Sequence, residues 1–191
     1  MRDGSRTRAR IETEALRLFA LKGVDATSVR DIAQAVGVAE GALYRHFSGK
    51  DTLSRSLFLD NYAALARQVL AAVRPGALFR DTVRAVVDVF CRLFDENRPL
   101  FSFLLVSQHA HLQEVPEVAD ENVVEAIRHV FADAMKRREI ASEDADQLSA
   151  MALGIVAQPA IFTIYGRLQG PLSDRAPVLA AAVLALTRPL Q

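Results

Sequence analysis

The segment from Thr27 to Leu53 constrains the fold of this chain most, and it reads TSVRDIAQAVGVAEGALYRHFSGKDTL. Its first part is predicted to be a helix because apolar residues recur at i, i+3, i+4 and i+7, namely Val29, Ile32, Ala33 and Val36. Ser28 and Asp31 fit a capping pattern at the start of this helix, and Gly37 is suited to end it in the left-handed conformation.

A second short helix is expected immediately after this glycine, with Leu43 and Phe47 on its inner face. The residues between them are then expected to point outward: Glu40, Gly41, Ala42, Tyr44, Arg45 and His46. Two short helices around a glycine turn are typical of a helix-turn-helix, whose second helix is small enough to enter the major groove of DNA.

Helical periodicity continues through the remainder of the 191 residues, and no convincing strand alternation occurs. A further helix at about 7–22 precedes the motif, and long helical segments follow it from about Lys50 to Thr187. We therefore predict an all-α protein, with an N-terminal three-helix helix-turn-helix domain at 1–49 and a C-terminal helical domain at 50–191.

The charge distribution is uneven, although 23 Lys and Arg residues balance 23 Asp and Glu residues overall. Residues 1–50 contain nine basic and six acidic side chains, and several arginines lie on the leading arm, including Arg6 and Arg8. A local basic excess suits a partner that carries phosphates, although a solvated terminus has the same composition.

The sequence shows no pattern for a metal site, catalysis or membrane insertion. Cys91 is the single cysteine, and His109 and His111 are two residues apart, so they diverge on a helix and make a poor metal pair. No Gly-x-Ser-x-Gly or phosphate-binding glycine loop occurs, so we predict no enzyme and no cofactor. We expect no secretory leader, and the longest apolar run, 176–186, is too short to span a bilayer; a cytoplasmic location is expected.

The run 176–186 is apolar on every side, which a helix on the protein surface cannot be. Two copies of this helix and of the preceding one are predicted to form a four-helix dimer interface, although burial inside the monomer is the alternative. The interface residues are predicted to be Leu148, Met151, Ile155, Leu179, Val183, Leu184 and Leu186.

The C-terminal helical domain, here called the body, also contains aromatic residues mixed with a few polar groups. Such a mixture suits a largely apolar effector pocket, although plain core packing is the better explanation for each phenylalanine taken alone. The candidate pocket residues are Phe90, Phe94, Phe101, Phe103, Gln108, His109, Phe131, Gln158, Phe162 and Tyr165.

The N-terminal helix-turn-helix domain, here called the head, resembles the bacterial TetR family of transcriptional regulators between about Arg8 and Leu57. The matching residues are Phe19-Ala-x-x-Gly23, Thr27-Ser-Val-Arg-Asp-Ile-Ala33, Gly37-Val38, Leu43-Tyr44-x-His46-Phe47 and Lys50-Asp-x-Leu53. The resemblance implies a DNA-binding head on a ligand-binding and dimerisation body. It leaves the identity of the ligand open.

The resemblance also implies roles for individual residues. Thr27 and Lys50 are expected to contact phosphates, Tyr44 and His46 to press against the DNA backbone, and Arg30 to reach a guanine edge. Arg6 and Arg8 are expected to enter an adjacent minor groove. The other candidates on the DNA-binding surface are Ser28, Glu40, Gly41, Ala42 and Arg45. Ala39 stands where many relatives have a capping serine, so the second helix is expected to lack a side-chain cap.

These features together predict a sequence-specific, homodimeric DNA-binding regulator. The resemblance implies a repressor that a small, largely apolar effector releases from a palindromic operator. The alternatives are a nonspecific or architectural DNA-binding protein and a carrier of small ligands.

Overall fold

The structure, a computed structural model, describes residues 2–187, apart from the side chains of Arg2, Asp3, His109 and Ala110. This range is helical and contains no strand, which confirms the predicted all-α fold. The α-helices are α1 (Arg2–Lys22), α2 (Val29–Val36), α3 (Glu40–Tyr44), α4 (Lys50–Ala72), α5 (Phe79–Glu96), α6 (Arg98–His111), α7 (Val123–Lys136), α8 (Ala145–Ile164) and α9 (Ala176–Leu184).

The chain forms two compact units, each with its own core. The first unit contains the residues up to Asn61 together with Pro99–Glu114, and the second contains Tyr62–Arg98 and the residues from Val115 onward. The first unit therefore includes α1–α3, the first half of α4 and nearly all of α6. The functional division into 1–49 and 50–191 remains a prediction.

Aromatic rings link α6 to the other helices of the first unit. The Phe103 ring stacks on that of Phe19 with 5.8 Å between centroids, and it meets the edge of the Phe58 ring at 6.5 Å. All three side chains are buried. Because these rings come from α1, α4 and α6, the core of the first unit depends on residues far apart in the sequence.

In the second unit, α5 packs against α9, and α8 packs against both α7 and α9. The apolar residues of α9 are divided between two faces: Leu179 and Val183 are buried, whereas Val178 is 72% exposed. Within the described residues, α8 is also long and apolar enough to cross a membrane by length and composition. A core helix of a soluble protein meets the same criterion.

Candidate nucleic-acid interface

A reciprocal cap fixes the start of α2. The Ser28 hydroxyl accepts the Asp31 backbone N–H at 3.1 Å, and the Asp31 carboxylate accepts the Ser28 N–H at 2.9 Å, which confirms the predicted capping pattern. The Lys22 ammonium donates to the same carboxylate at 2.8 Å. The hydrogen bond from Lys22, followed by those from Ser28, holds the pKa of Asp31 well below its usual range. Ser28 and Asp31 therefore stabilise the helix that carries Arg30.

The turn between α2 and α3 has the conformation predicted for Gly37. This residue has φ +75°, and its N–H donates to the Ala33 carbonyl at 2.9 Å. The Val38 N–H donates to the same carbonyl at 3.0 Å. This left-handed ending sets the direction in which the chain enters α3.

The second helix of the motif is very short. Ala39 provides no side-chain hydrogen bond to its start, as expected, and Leu43 and Phe47 are buried on its inner side. The helix ends at Tyr44, so the prediction that Arg45 lies within it is wrong: Arg45 is the C-cap, and His46 follows it. Both residues remain next to α3, because the His46 N–H still donates to the Leu43 carbonyl at 2.9 Å.

The exposed side of α2 and α3 forms a surface that we call the reading surface. Its exposed members are Arg30, Glu40, Gly41, Tyr44 and Arg45, and its half-buried members are Ala42 and His46. Within residues 2–187, Arg30 and Arg45 have no ion pair or hydrogen bond from their guanidinium groups. Tyr44 is 54% exposed, although large aromatic side chains are usually covered. Cations without a partner beside an exposed phenol suit contact with a phosphate backbone.

Thr27 and Lys50 are arranged differently from what the resemblance implies. Thr27 is 1% exposed and its hydroxyl donates to the Gly23 carbonyl at 2.7 Å, so the structure places this hydroxyl inside the head. The Lys50 ammonium donates to the Val24 and Asp25 carbonyls, at 3.0 Å each. Lys50 thereby ties the start of α4 to the loop before α2, and an ammonium with three donors retains one for a phosphate.

The arginines predicted on a leading arm lie on α1, which begins at Arg2 rather than near residue 7. Arg6 is exposed. Arg8 forms an i,i+4 ion pair with Glu12 at 2.8 Å, and its guanidinium carbon lies 4.8 Å from the centre of the Phe47 ring. Insertion of Arg8 into a minor groove therefore requires the loss of both contacts.

A cavity of about 60 Å³ lies inside the second unit, and every residue that lines it is apolar. Of the ten predicted pocket residues, Phe90 and Phe131 line this cavity. Phe94 is buried elsewhere in the same unit, beside the Arg98 guanidinium, and the side chain of His109 lies outside the described residues. No three described His, Cys, Asp or Glu side chains are grouped to hold a metal ion.

The other predicted pocket residues do not line this cavity. Phe101 and Phe103 are buried in the first unit, which also contains Gln108, whereas three residues of α8 and its C-terminal end are exposed: Gln158, Phe162 and Tyr165. Aromatic content does not reveal which core a side chain joins, so these residues lie apart from the cavity, and a ligand-binding role for them stays a prediction.

The predicted dimer residues fall into two groups. Leu148, Leu179 and Val183 are buried within one chain, which favours the alternative of burial inside the monomer for these three residues; their place in a dimer interface stays a prediction. Met151 is 45% exposed, and three residues are half-buried: Ile155, Leu184 and Leu186. The exposed apolar face of α8 and α9, here called the apolar face, comprises Met151, Gly154, Phe162, Val178, Ala181, Ala182 and Ala185.

The fold and the reading surface together define a helix-turn-helix protein with a helical body. The profile of the family described as "Bacterial regulatory proteins, tetR family" matches residues 11–57, which contain the whole motif. The chain is also similar to two curated regulators. It is 37% identical over 86 residues to the HTH-type transcriptional repressor KstR2 of Rhodococcus jostii, covering 44% of this chain and 41% of that protein. It is 47% identical over 51 residues to the HTH-type transcriptional regulator AcrR of Shigella flexneri, covering 27% and 24% respectively.

Solved structures extend the similarity to the whole fold. The fatty acid degradation regulator FadR of Bacillus halodurans matches with a TM-score of 0.81 and 14% identity, over 94% of this chain and 99% of that one. PfmR, a TetR-family regulator from Thermus thermophilus, matches with a TM-score of 0.71 and 24% identity, over 95% and 96%. The profile match to residues 11–57 bears out the TetR resemblance in the helix-turn-helix domain, and the solved structures extend it to the fold. It spans less than half the length of the two curated relatives named above.

Proposed function

We propose that this chain is a homodimeric, sequence-specific DNA-binding regulator of transcription. The proposal rests mainly on the reading surface, where the guanidinium groups of Arg30 and Arg45 have no partner within residues 2–187. Arg30 lies on α2, whose start is held by the reciprocal cap of Ser28 and Asp31. A guanidinium fork suits the O6 and N7 acceptors of guanine. The transcriptional repressors and regulators among the relatives support the same role. The proposal includes a small molecule that binds the body and lowers operator affinity.

The apolar face supports dimerisation. Val178 is 72% exposed, and Ala181, Ala182 and Ala185 lie beside it with small side chains that permit close approach of a second helix. A second copy of the chain buries this surface by a two-fold contact. Two identical heads then suit a palindrome, whose half-sites lie about 34–36 Å apart along the duplex.

DNA selection from a random-sequence library tests the first part. The wild-type chain is expected to enrich a palindrome that resists competition by excess bulk DNA. The Arg30→Ala variant is expected to lose preference at one position of each half-site. Equal binding to every sequence means a nonspecific DNA-binding protein, and absence of DNA binding combined with tight ligand binding means a carrier; either result overturns the proposal.

Sedimentation velocity tests the second part, with Ala182→Glu as the probe and Ala71→Glu as the matched control. Both residues are exposed alanines on helices of the second unit, but only Ala182 belongs to the apolar face. A carboxylate at 182 is expected to yield monomers, because dimerisation would bury an unpaired charge. The control is expected to remain dimeric. A wild-type protein that sediments as a monomer contradicts the dimer.

A further inference from the structure

A second space in the body differs in character from the apolar cavity. It is a cleft of about 370 Å³ in the second unit, between the end of α4, the start of α5 and the last turns of α7. Its volume lies within the range of about 300–1,000 Å³ that is usual for small-ligand sites. The apolar cavity, at about 60 Å³, is smaller than the roughly 150 Å³ cavity that accommodates benzene. Of these two spaces, the cleft is therefore the one that is already large enough for a small ligand.

Positive charge predominates on the rim of this cleft. Arg74, Lys136 and Arg137 line it, and Asp133 is the single carboxylate among the lining residues. Lys136 lies 3.3 Å from Asp133 in an exposed pair, which contributes little on its own. The Arg74 guanidinium has no hydrogen bond or ion pair in the part of the chain that the structure describes. The lining residues alone carry two net positive charges, and the Glu139 carboxylate that pairs with Arg137 from outside the lining offsets one of them.

One side of the rim is held in place by hydrogen bonds. Arg137 donates to the Ala77 carbonyl at 2.9 Å and pairs with Glu139 at 3.0 Å. The Glu139 carboxylate in turn accepts the backbone N–H of Phe79. This chain of contacts joins the end of α7 to the start of α5, so the position of the cleft does not depend on flexible surface side chains alone.

The floor of the cleft is apolar. Leu70 and Val73 from α4 and its end, Phe79 from α5 and Val130 from α7 all line it. Val130 also lines the inner apolar cavity, so one valine side chain forms part of the wall of both spaces. If the Val130 side chain shifts, a hydrocarbon chain that lies on this floor can extend into the inner apolar cavity.

We propose that this cleft binds an amphipathic anion, a carboxylate or phosphate head group attached to a hydrocarbon chain. The head group contacts Arg74 and Lys136, and the chain covers the floor. A ligand without charge leaves the cations unused, and a small inorganic anion leaves the apolar floor uncovered. That this ligand is the effector rests on the proposed function, whereas its binding does not.

Isothermal titration calorimetry of the full chain without DNA tests the proposal. Four probes are used at about 150 mM salt: decanoate, decyl phosphate, decanol and inorganic phosphate. Decanoate or decyl phosphate is expected to bind at least tenfold more tightly than decanol, and inorganic phosphate is expected to give no heat of binding. The tighter of the two anionic amphiphiles identifies the head group.

Variants locate the site. Arg74→Gln and Lys136→Gln are each expected to weaken binding of the tighter amphiphile about tenfold, the usual effect of removing a charged hydrogen-bond donor. Arg92→Gln is the matched control, because it removes another exposed cation of the second unit that does not line the cleft. Equal binding of decanol and decanoate, equal loss in the control, or binding of inorganic phosphate alone overturns the proposal. Since DNA is absent, a negative result leaves the DNA-binding proposal standing.

Discussion

Replacement of Lys50 by methionine separates two roles for one side chain. The ammonium holds the loop before α2 through two hydrogen bonds of 3.0 Å, to the Val24 and Asp25 carbonyls. The TetR resemblance assigns the same group to a DNA phosphate. The two roles predict different observable losses, so one variant tests both.

The structural role predicts a loss of stability. Hydrogen bonds to charged groups contribute about 1.5–3 kcal/mol each when they are buried. Because Lys50 is half-buried and its bond to Asp25 is exposed, we expect Lys50→Met to lower the free energy of unfolding by about 1–2 kcal/mol in total. Urea denaturation followed by circular dichroism measures this change. Lys136→Met, on the exposed end of α7, is the matched control and is expected to change little.

The phosphate role predicts a change in salt dependence. The slope of log K against log salt concentration is negative, and loss of one phosphate contact makes it less negative by about 0.9, whatever the DNA sequence. Fluorescence anisotropy with the selected palindrome at several salt concentrations measures this slope. An unchanged unfolding free energy refutes the loop-holding role, and an unchanged slope refutes the phosphate contact.

Three other predictions concern the head and the body. Gly41→Ala is expected to raise the free energy of unfolding by about 0.5–1 kcal/mol, because the added methyl group meets no atom within 4 Å. Gly37→Ala is expected to lower the free energy of unfolding by about 1–2 kcal/mol, because Gly37 has φ +75°. Urea denaturation of the two variants measures both changes. Arg30→Ala is expected to cost about 1–3 kcal/mol with the preferred site and less with bulk DNA, and equal losses by anisotropy would contradict a base contact. Burial raises the pKa of Cys91 to about 12, so the thiol is expected to be unreactive towards Ellman's reagent at pH 8 until the protein is unfolded; rapid labelling of the native protein would contradict this.

The local features of the head were predictable from neighbouring residues. The cap of α2 joins Ser28 to Asp31, and the turn depends on Gly37, so each lies within a few residues of the groups it satisfies. The buried positions of Leu43 and Phe47 follow from helical spacing in the same way. A helix-turn-helix can therefore be predicted from the local sequence alone, because its cap, its turn and its buried positions do not depend on distant contacts.

The sites in the body were less predictable, because helical periodicity identifies an apolar face but not the element that covers it. Val183 and Ala182 are adjacent on α9, yet the first is buried and the second exposed. The cleft lined by Arg74 and Lys136 brings together residues about 60 positions apart, and no local pattern links them.

The sequence by itself determined the all-α fold, the TetR-like character of the helix-turn-helix domain and the outward positions of the reading surface, because these depend on spacing within a few helical turns. Only the tertiary structure decided that Phe103 of α6 packs with Phe19 of the head, and that the Thr27 hydroxyl points inward to Gly23. Such choices follow from packing between distant segments, where several apolar faces compete for the same partner and close packing selects one of them.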